Sequence, residues 1–118
     1  MVYDESDLRA DIDRAPQALA ALVDAIGEDS SAVRDAVDRL AGRRVVLVGL
    51  GSSRYAAAVA ASVYRTGGAT GWVEYASVSP ESPPARELAV LAISASGRTS
   101  EVVETARRHH GTGPVIAV

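Results

Sequence analysis

The spacing of apolar positions changes character near residue 43, and the change divides the chain in two. From Leu8 the apolar residues run Leu8, Ile12, Ala15, Leu19, Leu22, Val23 and Ile26. Steps of three and four place them on one face of a helix. Pro16 falls inside that run, so a kink or two helical pieces is expected near Ala15. Gly27 is the expected stop. Asp29, Ser30 and Ser31 are helix-starting types, and Val33, Val37 and Leu40 form a second apolar stripe that Gly42 closes. Met1 to Ser6 reads as a loose polar start.

Beyond residue 43 the helical period gives way to short unbroken apolar runs. Val45, Val46, Leu47 and Val48 do not alternate with polar residues. Such a run reads as a strand covered on both faces, as in a parallel sheet. Gly49-Leu50-Gly51-Ser52-Ser53 follows, then an alanine-rich helical stretch from Tyr55 to Tyr64, ended by Gly67-Gly68. Thr70 to Tyr75 reads as a second strand. Residues 76–87, with Pro80, Pro83 and Pro84, read as a loop. Leu88 to Ile93 is a third, buried strand, and Ser94 to Thr99 is a second loop of small residues. A helix over Ser100 to His109 turns Val102, Val103 and Ala106 inward. Gly111 to Pro114 is a turn, and Val115 to Val118 a fourth strand. Strands separated by helices imply crossover connections. The expected fold is therefore α/β, a three-layer α/β/α parallel sheet preceded by two helices. The organisation is residues 1–42 as N-terminal helices and 43–118 as the sheet domain. The two helices either pack on the sheet or reach a partner.

Composition narrows the function classes. A chain of 118 residues suits one core of ordinary size. Its 47% hydrophobic content is too high for a disordered protein. The apolar runs are too short to cross a bilayer and no leader pattern opens the chain, so a cytoplasmic protein without a membrane partner is expected. The absence of cysteine excludes disulfides, a thiolate zinc site and a cysteine nucleophile. The net charge of −3 is unevenly spread: residues 1–42 hold ten acids against four arginines, and residues 43–118 five acids against eight arginines. That balance gives no basic nucleic-acid face and mildly favours a small anion in the second part. With no lysine, Schiff-base chemistry on this chain is excluded. Asp11, Asp13, Asp24, Asp35 and Asp38 fall off the apolar stripes and read as a solvated face. They are not grouped with histidine at ligand spacing, so no metal site and no cofactor are expected.

Candidate chemistry concentrates in the two small-residue loops. Each leaves the carboxyl end of a buried strand and leads into a helix, which is where open α/β sheets bind ligands. Glycine lets the backbone approach a ligand. Helix N-termini offer free N–H groups to a phosphate, and serine and threonine hydroxyls add donors. Gly49-Leu50-Gly51 begins like the dinucleotide fingerprint, but Arg54 stands where its third glycine belongs. Nor does the loop end as a Walker motif does. Glu74 lies near the place of the ribose-binding acid and keeps a nucleotide-binding module as an alternative. The bland alternative is that Ser52, Ser53 and Ser94 only cap helices.

Residues 46–53 (Val-Leu-Val-Gly-Leu-Gly-Ser-Ser) and 93–101 (Ile-Ser-Ala-Ser-Gly-Arg-Thr-Ser-Glu) resemble the two signature segments of the sugar isomerase (SIS) domain. Leu8 to Pro16 resembles the entry to the isomerase half of glutamine–fructose-6-phosphate aminotransferase and its isomerase and deaminase relatives. The resemblance implies a flavodoxin-like sheet of strand order 2-1-3-4. It also implies a phosphosugar site built from Gly51, Ser52, Ser53, Ser94, Ser96, Gly97 and Thr99. The expected ligand is a hexose 6-phosphate or an amino-sugar 6-phosphate. The aminotransferase subgroup usually has glutamine where Ala95 stands and glutamate where Arg98 stands. A whole SIS domain continues beyond a fourth strand, and the family's acid–base residues come from later segments or a neighbouring subunit. The expectation is thus a partial SIS domain without its catalytic base, working as a homodimer or with the remainder of an SIS protein. A phosphosugar sensor that acts through a partner is the non-catalytic alternative.

Other side chains carry less. His109 and His110 sit at the far end of their helix, where a histidine ordinarily interacts with the helix C-terminus. Glu101 and Glu104 read as solvated acids. Arg54 and Arg98 flank the loops and rank below the hydroxyls. Trp72, Tyr55, Tyr64 and Tyr75 read as packing residues.

Overall fold

The computed structural model describes residues 4–76 and 82–118. In chain order the elements are α1 (Glu5–Glu28), α2 (Ser31–Leu40), β1 (Arg44–Gly49), α3 (Ser52–Thr66), β2 (Gly71–Tyr75), β3 (Leu88–Ala92), α4 (Ser100–His109) and β4 (Val115–Ala117). The chain divides into two compact units, residues 1–35 and residues 36–118. The division falls within α2, because Leu40 is buried among core residues of the second unit.

In the first unit, α1 starts at Glu5, so Glu5 and Ser6 of the expected loose start are helical, while residues 1–3 lie outside the described ones. The helix runs on through Pro16 without dividing. A proline removes one N–H donor, and the remaining bonds of a 24-residue helix hold both sides of it together. The helix ends where the Asp29 N–H donates to the Ala25 carbonyl, and the Asp29 carboxylate accepts from the Ser31 N–H at 2.9 Å to start α2. No residue of α1 is buried, its apolar stripe included.

The second unit is built on a four-stranded sheet of order β2-β1-β3-β4, with every pairing parallel. That is the order the resemblance implies. β1 is central, and its four apolar residues are buried on both faces. Alternation sends Val45 and Leu47 to one face, against Ala57 and Ala61 of α3. It sends Val46 and Val48 to the other, with Val90 of β3 and Val102 of α4. Small residues on α3 let it lie close to the sheet. The approach is tight at Gly49, where a Cβ atom would stand 2.8 Å from the Ser53 carbonyl carbon. The first glycine of the β1–α3 turn therefore supplies the close helix–strand packing.

Among the described residues no helix is long and apolar enough to cross a membrane. The expected loop over residues 76–87 is irregular where described, and residues 77–81, Pro80 among them, lie outside the described residues.

Candidate functional site at the carboxyl edge of the sheet

β1 and β3 are neighbours in the sheet, so the loops that follow them emerge side by side. Between the loops lies an open hollow of about 380 Å3, lined by Ser52, Ser53 and Ala56 from one side and by Ile93, Ser94 and Ala95 from the other. A second hollow of about 220 Å3 lies on the α4 side of the later loop, with Ser94, Gly97 and Val102 in its wall. Of the seven residues expected to bind phosphate, Ser52, Ser53 and Ser94 thus share one space and Ser94 and Gly97 another. Gly51, Ser96 and Thr99 line neither.

The hydroxyls do different work in the two loops. Gly51 is the residue before α3 and Thr99 the residue before α4, and neither helix start carries a side-chain cap. Capping by Ser52, Ser53 or Ser94 is therefore not what the structure contains. Gly51, at φ 57° and ψ −129°, takes a backbone conformation that L side chains rarely adopt, and this turns the chain into α3. The later loop is tied to itself instead. The Gly97 N–H donates to Ser94 Oγ at 3.1 Å, and Ser94 Oγ lies 3.1 Å from Thr99 Oγ1. The Arg98 N–H donates to Ser96 Oγ at 3.1 Å. Small hydroxyls at short sequence separation form such local bonds readily. In this loop they fix the backbone around the hollow.

Charge at this edge comes from Arg54, Arg98 and Glu101. The Glu101 carboxylate accepts from its own N–H and from the Ser100 hydroxyl at 3.0 Å, which holds its pKa below the usual carboxylate range. Arg54 lies flat over the Tyr75 ring, 3.7 Å from the ring centre to the guanidinium carbon. Tyr75 ends β2 opposite Gly49 of β1, so the pair covers the β2 end of the edge.

Several side chains differ from their sequence reading. His109 ends α4 as expected, but it is buried there, 2% exposed, and its Nε2 makes no hydrogen bond among the described residues. Burial, then the neighbouring Arg108, pushes its pKa down, while Glu74 pulls the other way. Tyr55 and Tyr75 are exposed rather than packed, whereas Tyr64 and Trp72 lie against the two cores. Glu74 is 7% exposed, accepting from Trp72 Nε1 at 3.0 Å and from the Ser82 hydroxyl. The hollow of about 430 Å3 at the opposite edge is walled by the turns at Gly42 and Gly67. Its arginines are engaged with Arg86 and Glu87. The chain matches no family model, no curated protein and no solved structure.

Proposed function

We propose that the carboxyl edge of the sheet binds a phosphosugar, a hexose 6-phosphate or its amino derivative, in the manner of an SIS domain. The observation that carries this reading is the single hollow shared by Ser52 and Ser53 of one loop and Ser94 of the next. Among the described residues the Ser53 hydroxyl is committed to no hydrogen bond. Ser94 is held in place by its loop, and the N–H groups at the starts of α3 and α4 carry no side-chain cap. A phosphate ester offers an acceptor to the Ser53 hydroxyl. The strand order is that of flavodoxin-like sheets, which bind their ligand where the strand order reverses, here between β1 and β3. In this reading the domain is the phosphate-gripping part of a sugar-phosphate isomerase, aminotransferase or deaminase. It is cytoplasmic and works as a homodimer or with the rest of an SIS protein.

A sensing role has its own support. Moving a proton between C1 and C2 of a sugar needs a base whose pKa lies near the working pH. Glu101 is held too low for that task, and His109 ends α4 at the opposite edge of the sheet. The chain on its own binds the ligand and leaves proton transfer to residues supplied from elsewhere.

Thermal unfolding in the presence of fructose 6-phosphate, glucosamine 6-phosphate, NAD or ATP tests this reading, because a ligand bound to the native state raises its melting temperature. The sugar phosphates are expected to raise it and the nucleotides to leave it unchanged. Stabilisation by nucleotides alone overturns the proposal.

A further inference from the structure

The apolar positions of α1 follow a stricter rule than a helix face needs. Leu8, Ile12, Ala15, Leu19, Leu22 and Ile26 are spaced four, three, four, three and four residues apart. That is the seven-residue repeat of helices that wind around one another, with every seam position apolar. Yet no residue of α1 is buried. The five larger side chains of the seam are 42% to 62% exposed, and Val23 beside them is 68% exposed. Helices in proteins are held mainly by packing of an apolar face, and in α1 that face is open along 24 residues, about 36 Å.

The seam fits a reversed copy of itself. Turned about Gln17, Ile26 of one copy faces Leu8 of the other, Leu22 faces Ile12, and Leu19 faces Ala15. Each layer then occurs twice, as a two-fold axis requires. The central layers set a small residue against a large one. Charge selects the direction. Residues 5–14 hold four acids and two arginines, and residues 15–28 hold two acids and no arginine. In a parallel pair the four acids would lie beside the same four, with the helix dipoles aligned. In an antiparallel pair the crowded end meets the sparse one, Arg9 comes level with Asp24 of the second copy, and each N-terminus lies along a C-terminus. Covering the five larger seam side chains and Val23 on both copies removes on the order of 1,000 Å2 from water, which is what a specific interface needs.

We infer that α1 is a pairing helix, through which two copies of this chain join in an antiparallel, two-fold contact centred on Gln17. The inference goes beyond the phosphosugar reading and does not depend on it.

Sedimentation equilibrium of the full chain is the test, with Leu19→Glu at the centre of the seam set against Ala10→Glu on the opposite face of the same helix. Both add the same charge. The wild type and Ala10→Glu are expected to be dimers, and Leu19→Glu to dissociate roughly a hundredfold more readily. Direction is read from single-cysteine chains, since the wild type has no cysteine. Leu8→Cys and Ile26→Cys, mixed under reducing conditions and then oxidised, are expected to give the mixed disulfide, and each alone to give none. This pair carries the test should Leu19→Glu fold poorly. A wild type that stays monomeric up to about 1 mM, a dimer that Leu19→Glu leaves intact, equal dissociation of the two glutamate variants, or a disulfide formed by Leu8→Cys alone overturns the inference. Each of these leaves the phosphosugar reading standing.

Discussion

Ser94 and Thr99 meet through their hydroxyls, 3.1 Å apart, and the Gly97 N–H donates to the same Ser94 oxygen. The loop from Ser94 to Thr99 is thereby closed on itself between β3 and α4. Ser94→Ala removes the common partner of both groups. The expected cost is about 1–2 kcal/mol of stability, read as a lower urea midpoint at unchanged slope. Ser96→Ala with Thr99→Ala should weaken fructose 6-phosphate binding while the chain still folds. Unchanged affinity would limit those hydroxyls to shaping the loop.

Gly49→Ala tests the close approach of β1 and α3. Its Cβ would stand 2.8 to 3.0 Å from backbone atoms of Ser53 and Arg54, which cannot swing aside as a side chain can. A loss of about 1–3 kcal/mol is expected. Gly51→Ala meets no neighbour and should cost about 1–2 kcal/mol through its φ of 57° alone. Chemical denaturation of the two variants separates crowding from backbone strain.

Glu101 places a negative charge at the start of α4, beside the loop proposed to hold an anion. Its carboxyl stays ionised at neutral pH because its own N–H and the Ser100 hydroxyl favour the charged form. Glu101→Gln should tighten phosphosugar binding a few-fold, with the larger effect at low salt. Weaker binding in that variant would instead make Glu101 a contact to a sugar hydroxyl.

His109 makes stability depend on pH. The unfolded chain takes up the imidazole proton near its ordinary value of 6.5, whereas in the folded chain burial and Arg108 delay uptake to lower pH. Its contribution is full above 6.5 and is lost as the pH falls toward the folded value. The urea midpoint should fall between pH 7.5 and pH 5.5, and His109→Leu should flatten that fall. An equal fall in the variant would assign the pH dependence to other groups.

Much of the fold was legible because β1 and α4 carry unambiguous local signals. Four consecutive apolar residues in β1 announced burial on both faces, and α4 runs from Ser100 to His109 as its pattern predicts. Pro16 did not divide α1, because the turns of helix on either side of it outweigh one lost bond, which a local rule does not weigh. The Arg54–Tyr75 stack was not legible, since it depends on the parallel register that sets Gly49 beside Tyr75. His109 was read from its place at a helix end, where a charged form is favoured. In the structure burial is the larger influence, and the neutral form is favoured. The two loops were found from composition alone, while the division of labour among their hydroxyls required the geometry.

Ser53 isolates the binding claim from the folding one, because it lines the shared hollow and its hydroxyl bonds to no other group among the described residues. Titration of Ser53→Ala with fructose 6-phosphate, beside its urea midpoint, is the most direct measurement. The expected result is stability within about 0.5 kcal/mol of the wild type and affinity roughly tenfold lower. Undiminished affinity in a variant of unchanged stability would contradict the account.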